Sequence, residues 1–353
     1  MIELQQITDK LLTEGDITRE EAIVLLKNHN KDTQALLASK ASETAKSIYG
    51  NKIFIRGLVE FTSFCRNDCY YCGIRHSNKN ASRYRLTKNE ILACASHGYM
   101  SGFRTIVLQG GEDAFFTDEL ITDIVSSIKS EHPDLAVTLS IGEKSRKSYQ
   151  AFFDAGCDRY LLRHETADSE HYAKLHPSTL SADNRKRCLF DLKDIGFQTG
   201  AGFMVGSPYQ TIENIADDLM FLKALRPEMV GIGPFIPHKD TCFAGHPHGD
   251  LDLTLYLLSV IRLMLPSVLL PATTALGTID PHGRELGILA GANVVMPNLS
   301  PEDVRAKYNL YDNKACSGAE TAEYLNSLKE EMRSIGYEIV TDRGDNAEFT
   351  LDR

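Results

Sequence analysis

From residue 53 onward, short β-rich runs alternate with amphipathic helical runs, and this alternation constrains the fold more than any other feature of the chain. The strand candidates are 53–61, 105–108, 136–139, 159–162, 198–205, 230–233, 268–270 and 293–296. Between them lie helix candidates: one after the capping box Thr87-Lys88-Asn89-Glu90, then 117–130, 146–155, 182–195, 212–225, 253–265 and 283–289. Parallel strands need crossover connections, and helices supply them. Eight such units in about 250 residues predict an α/β chain built as a complete (β/α)8 barrel of the TIM type. A six-unit partial barrel is the competing arrangement.

Residues 1–50 read as an N-terminal helical extension. Thr18-x-x-Glu21 is a capping box opening the apolar run Ala22, Ile23, Leu25 and Leu26, and helix formers continue from Asp32 to Tyr49. After Ser300 the chain reads helical through Met332 and ends in a polar tail, 341–353, expected to fray. No linker rich in Pro, Gly or Ser divides the chain. The expected organisation is 1–50 extension, 51–300 barrel, and 301–353 a C-terminal helical segment and tail packed on the barrel.

Composition narrows the setting. Of 353 residues 42% are hydrophobic, enough for a packed core, and the net charge of −10 disfavours a nucleic-acid partner. Met1-Ile2-Glu3-Leu4-Gln5 lacks a basic start followed by an apolar stretch, so no export signal is expected, and no apolar run is long enough for a membrane span. An unexported chain with free cysteines is expected in a reducing cytoplasm.

Three of the 8 cysteines fall in one short run, Cys65-Arg66-Asn67-Asp68-Cys69-Tyr70-Tyr71-Cys72, spaced C-x3-C-x2-C. Three thiolates can hold three corners of a cubane [4Fe–4S] cluster and leave the fourth iron open to a ligand. The alternatives are a zinc site completed by His76 and, less fitting for scattered cysteines, a disulfide framework. Cys94, Cys157, Cys188 and Cys242 read as small hydrophobes. With the aromatic Tyr71 before the third cysteine, the run resembles the radical S-adenosylmethionine (SAM) superfamily.

The other polar motifs fall at predicted strand ends, where barrels of this kind place their chemistry. They are Gln109-Gly110-Gly111-Glu112-Asp113, Ser140-Ile141-Gly142-Glu143, Arg163-His164-Glu165-Thr166, Gly206-Ser207-Pro208, Pro234-Phe235-Ile236-Pro237-His238, Thr273-Thr274 and Pro297-Asn298. Paired glycines let backbone approach a ligand, so Gly110-Gly111 can offer carbonyls to an amino group; an ordinary βα turn is the bland alternative. Glu165 and Arg185 read as a charged pair near bound SAM, although Arg185-Lys186-Arg187 looks more like a solvated helix start. Arg163, in an apolar stretch, needs an anionic partner such as Glu165 or an anionic substrate. Thr138 reads as a strand-forming residue, whereas the tandem Thr273-Thr274 suits ligand hydroxyl contacts. His164, His176 and His238 share no metal-like spacing and read as supporting or packing residues.

Taken together, Arg56–Phe61, Cys65 to Arg75, Val107–Asp113, Tyr160–Thr166, Gly231–His238, Pro271–Ala275 and Asn293–Asn298 resemble the [FeFe]-hydrogenase maturase HydE family. The similarity runs from about residue 53 to 316. Biotin synthase and methylornithine synthase share the barrel and the cysteine loop. The resemblance implies that Cys65, Cys69 and Cys72 ligate a [4Fe–4S] cluster. It also implies that SAM sits on the open iron against Tyr71, Gln109, Gly110, Ser140, Glu165 and Arg185. Substrate would lie lower in the cavity, near Thr138, Arg163, Met229, Thr273, Thr274, Tyr308 and Tyr311. Some HydE proteins carry a second cluster on a C-x7-C-x2-C set. Here Cys316 is followed by Tyr324 and Ser327 at those positions, so no second cluster is expected. Cysteines for the auxiliary cluster of biotin synthase are likewise missing.

The implied activity is reductive cleavage of SAM to a 5′-deoxyadenosyl radical. That radical would act on a small organometallic Fe–cysteine synthon during assembly of the H-cluster diiron site and its dithiomethylamine bridge. The implied partners are an electron donor, a synthon-forming radical SAM enzyme and a scaffold GTPase. Radical chemistry on an amino acid or in biotin synthesis is the enzymatic alternative, and an iron–sulfur or zinc-binding scaffold the non-enzymatic one.

Overall fold

The computed structural model describes residues 2–314 and 324–350, and all of its side chains but those of residues 2 and 3. Six parallel strands form one sheet in the order β2 (Gly57–Thr62), β3 (Thr105–Gly110), β4 (Ala136–Ser140), β5 (Arg159–Leu161), β6 (Gln198–Ala201) and β8 (Met229–Val230). β7 (Met204–Val205) and β9 (Gly233–Pro234) continue β6 and β8 toward their C-terminal ends as a separate pair. Parallel bridges then close the ring: Met229 to Leu269, Pro271 to Val294, and Leu58 to Asn298. β10 (Val294–Val295) pairs with β1 (Lys52–Ile55), the lower half of the first strand. The eight-unit barrel is therefore complete, as the alternation predicts.

Four strand expectations change in detail, the first being 230–233, which splits into β8 and β9 with Gly231 and Ile232 between them. The run 53–61 breaks at Arg56, with β1 and β2 belonging to different sheets. The run 198–205 breaks at Gly202, which adopts φ +150 with its Cα against the Gly231 carbonyl; a Cβ there would lie 2.0 Å from that oxygen. The run 268–270 makes a single bridge, at Leu269, and no ladder. Pro271 has no N–H to donate, and the Leu270 N–H goes to the Asn293 side chain at 2.9 Å.

Helices cover the barrel as their apolar periodicity dictates. The helix Asp118–Glu131, for example, buries Ile121, Ile124, Val125 and Ile128 along one stripe. The expected capping boxes at Thr18 and Thr87 form. The N-terminal helices pack on the barrel's outer helices, fixed by Arg19–Asp217 and Lys27–Glu213.

The C-terminal region departs most from expectation. Only Glu302–Arg305 and Leu325–Ser334 are α-helical among its described residues, followed by β11 (Glu338–Val340) paired parallel to β1. The polar tail does not fray over its described length. Asp345 meets the fully buried Arg159 at 2.6 Å, Arg343 reaches Asp158 at 3.1 Å, and Asn346 donates to Ser267 O at 2.8 Å. This segment plugs the N-terminal end of the barrel. Cys316 lies outside the described residues.

Candidate active site

The cysteine loop follows β2 and is neither helix nor strand, so its shape comes from bonds to other elements. Arg66 N donates to Glu112 O at 2.9 Å, Tyr70 N to Leu175 O at 2.9 Å and Gly73 N to Leu310 O at 2.9 Å, while Cys72 N closes a turn on Cys69 O at 3.2 Å. The glycine pair after β3 touches this loop. A Cβ on Gly111 would stand 2.2 Å from the Phe64 carbonyl and 2.7 Å from the Cys65 Cβ, so only glycine fits. Gly110 lies beside Thr62 and Phe61 in the same junction.

Cys65, Cys69 and Cys72 are half-buried, free thiols. Burial raises all three thiols, Cys72 to about 12, and for Cys69 and Cys72 the next cause is another cysteine of the trio. A trio whose thiolates repel one another in a desolvated loop fits a cationic inorganic core that stabilises them. Among the described residues, no three His, Cys, Asp or Glu side chains form a compact single-ion cage. A cubane binds its three thiolates through three different irons and needs no such convergence.

Tyr71 is enclosed between the loop and the helix Ser169–Leu175. His176 Nδ1 lies 3.0 Å from the Tyr172 carbonyl and its Nε2 3.2 Å from the Tyr71 hydroxyl. Burial drives His176 down to about 3, so the ring is neutral. Its Nδ1–H then donates to the carbonyl and its Nε2 accepts from Tyr71. His164 is also buried and neutral, lying 3.3 Å from Asp218 and accepting from the Gly202 N–H. Asp218 in turn accepts from Ala167 N. These contacts bracket Glu165, whose φ of +66 is rare for a residue with a Cβ.

Arg185 overturns the reading of a solvated helix start. It is 8% exposed and shares the inner stripe of its helix with Ala182, Cys188, Leu189 and Leu192. Its Nε donates to Glu143 Oε1 at 2.6 Å and its Nη1 to Arg163 O at 3.2 Å. It lies within electrostatic reach of Tyr71 and Cys69. The expected direct pairing of Glu165 with Arg185 is replaced by two pairs: Arg185 with Glu143, and Glu165 with Arg163 at 3.2 Å.

Below the loop, a cavity of about 220 Å³ opens at the C-terminal ends of the strands. Tyr71, Cys72, Gln109, Arg163, Glu165, Thr273, Thr274 and Tyr311 line it, which brings eight of the expected residues together. Gln109 and Ser140 are register partners across β3 and β4. Among the described residues, the buried hydroxyls of Thr138 and Thr273 have no hydrogen-bond partner. Buried polar atoms are ordinarily satisfied, so these atoms fit a polar ligand such as SAM or a substrate. Tyr308 is buried beside Gln109 and Glu60. Met229 lies deeper, packed with Tyr49, Phe54, Leu269 and Val294 and touching Arg56.

Sequence reasoning missed Glu60 and Lys314, an ion pair inside this cavity that Asn298 completes by donating to Glu60 at 2.8 Å. It also missed the role of Glu143, although that residue's position just after a strand end was the available signal. A separate cleft of about 390 Å³, lined by Lys193, Arg226, Glu228 and Asn346, lies near the N-terminal end of the barrel, away from the cysteines.

Comparison with known proteins agrees with this geometry. The Radical SAM superfamily profile matches residues 59–222. The [FeFe] hydrogenase maturase subunit HydE of Thermotoga maritima is 46% identical over 312 residues, 88% of each chain. The crystal structure of methylornithine synthase (PylB) superposes with a TM-score of 0.79 at 24% identity, covering 95% of this chain and 97% of that one. HydG, a maturase of the [FeFe]-hydrogenase, gives 0.81 at 21% identity, covering 95% and 75%. Both of these likenesses speak to the fold. No helix among the described residues is long and apolar enough to cross a membrane. The chain is a radical SAM enzyme whose cofactors are a [4Fe–4S] cluster and SAM, and it belongs to the HydE family of the Radical SAM superfamily.

Proposed function

We propose that this enzyme acts in the cytoplasm in [FeFe]-hydrogenase maturation, on a small organometallic Fe–cysteine synthon, toward the dithiomethylamine bridge of the H-cluster diiron site. The observation that carries the reading is the 46% identity to the HydE subunit across 88% of both chains. Cys65, Cys69 and Cys72 hold the cluster, and Tyr71, Gln109, Gly110, Ser140, Glu165 and Arg185 bind SAM. When bound, the cluster supplies the electron that splits the S–C5′ bond of SAM into methionine and a 5′-deoxyadenosyl radical. The protein's part is to orient and to exclude water. Arg185, braced by Glu143, offers a guanidinium to a carboxylate, and Glu165 offers acceptors to hydroxyl or ammonium groups. Thr138, Arg163, Met229, Thr273, Thr274, Tyr308 and Tyr311 shape the substrate end. The synthon comes from another radical SAM enzyme, and the product passes to a scaffold GTPase.

Anaerobic turnover with dithionite and SAM, with and without the synthon, tests this reading. Expected are 5′-deoxyadenosine and methionine, faster nucleoside formation with the synthon, and loss of both in Cys65→Ser. Nucleoside formation retained in Cys65→Ser would reject the cluster assignment. Turnover that responds to an amino acid and ignores the synthon would instead favour a methylornithine synthase-like activity.

A further inference from the structure

Arg83 stands just beyond the cysteine loop and grips it from both sides. Its Nη1 donates to Ser63 O, two residues before Cys65, and to Ile74 O at 2.7 Å, two residues after Cys72. Its Nη2 donates to Arg75 O at 2.6 Å and Asn78 O at 3.2 Å. One planar guanidinium thus ties the entry of the loop to its exit. Only arginine presents a rigid fork of donors that can do this.

The charge of Arg83 is unusual among its neighbours. Arg66 pairs with Glu112, Arg75 with Asp68 and Arg85 with Asp113. All four acceptors of Arg83 are neutral carbonyls, and no carboxylate pairs with it among the described residues. Burial opposes its charge, and among the described residues the ionisable groups that favour it are Cys65 and Cys72.

We propose that Arg83 is a positioning residue for the iron–sulfur cluster: it pre-shapes the cysteine loop, and it holds an uncompensated positive charge beside two of the three thiolates. The proposal rests on the assignment of the cluster to Cys65, Cys69 and Cys72. A [4Fe–4S] core with three thiolates is anionic, and one-electron reduction adds a further negative charge. A fixed cation nearby therefore favours both retention of the cluster and its reduced state.

The test uses the full-length chain, reconstituted anaerobically as wild type, Arg83→Lys and Arg83→Gln. Three quantities are read: iron per chain, the rate of iron loss to a chelator, and the cluster midpoint potential by EPR-monitored redox titration without SAM. Iron loss should quicken about 10–100-fold in both variants, because an ammonium cannot bridge four carbonyls. The potential should shift to more negative values in Arg83→Gln and stay nearer wild type in Arg83→Lys. A wild-type potential in Arg83→Gln, or wild-type iron loss in either variant, overturns the proposal. If Arg83→Gln takes up no iron, the iron-loss rate of Arg83→Lys decides. Failure of the wild type itself to take up iron would reject the cluster assignment instead, so the two failures are distinguishable.

Discussion

Arg185 Nε donates to Glu143 Oε1 at 2.6 Å, and both side chains are about one-tenth exposed. The pair links the end of β4, the third barrel strand, to the helix Ala182–Ile195 after β5, the fourth. Asn184 adds a second donor to Glu143, and the Glu143 N–H is itself held by Glu112 at 2.8 Å. Glu112 belongs to the glycine-pair motif and also binds Arg66 in the cysteine loop at 3.0 Å. A continuous polar chain therefore runs from the cysteine loop to the guanidinium at the proposed SAM site.

Substituting Glu143 should loosen that chain at its centre. A hydrogen bond to a charged group contributes about 1.5–3 kcal/mol, so Glu143→Gln should weaken SAM binding roughly 10- to 100-fold. Glu143→Ala should do so more strongly, because it leaves Arg185 buried without its carboxylate. Equilibrium binding of SAM to the reconstituted protein measures this. Wild-type affinity in both variants would show that Arg185 does not need its brace.

Gly111→Ala is predicted to act through the cluster. The added Cβ meets the Phe64 carbonyl at 2.2 Å, and backbone cannot yield there without moving Cys65. Iron content after reconstitution should fall sharply while the melting temperature changes little, since the clash is confined to the loop. Full iron loading in this variant would refute the close-approach argument.

The cysteine trio, the glycine pair and the barrel were legible because each is a local pattern: a spacing, a dipeptide, a repeated alternation. Arg185 was partly legible. The buried positions 182, 185, 188, 189 and 192 follow helical periodicity, but the basic triplet Arg185-Lys186-Arg187 suggested solvent. The pairing of Glu60 with Lys314 was not legible, since 254 positions separate them and no local rule joins the two. The tail was misread for a related reason. A polar composition predicts fraying, yet Arg343, Asp345 and Asn346 answer charges and carbonyls that the barrel strands and loops bury at the far end of the fold.

That docked tail carries a pH signature. Although burial works against it, Arg159 and Arg343 hold the Asp345 carboxyl well below its ordinary value of 3.8. A depressed carboxylate contributes stability that is present above the unfolded value and is lost as pH falls through the folded one. Asp345→Asn should therefore cost on the order of 3 kcal/mol at pH 7, leaving the fully buried Arg159 without a charged partner. The gap between wild type and variant should hold down to about pH 4 and narrow below it, as read by denaturant unfolding across pH. A gap that does not depend on pH would rule out the ionic account.

The Glu60–Lys314 pair predicts the opposite slope. Burial raises the Glu60 carboxyl above its ordinary 4.5, and Lys314 is the main charge opposing that rise. Lys314→Met removes the opposition, so the folded-state value climbs further while the unfolded one stays near 4.5. Above that pH the unfolded chain ionises Glu60 and the folded chain does not, so the destabilisation grows as pH rises until the folded value is reached. The melting temperature of Lys314→Met should lie close to wild type near pH 4.5 and well below it at pH 8, with a loss of roughly 3–5 kcal/mol at the upper end. Because Lys314 lines the same cavity as Arg163 and Thr273, turnover with the synthon should also fall more than SAM cleavage without it. Glu60→Gln in the Lys314→Met background should flatten the pH dependence. If the double variant keeps the slope, another group is titrating and the pair is not its source.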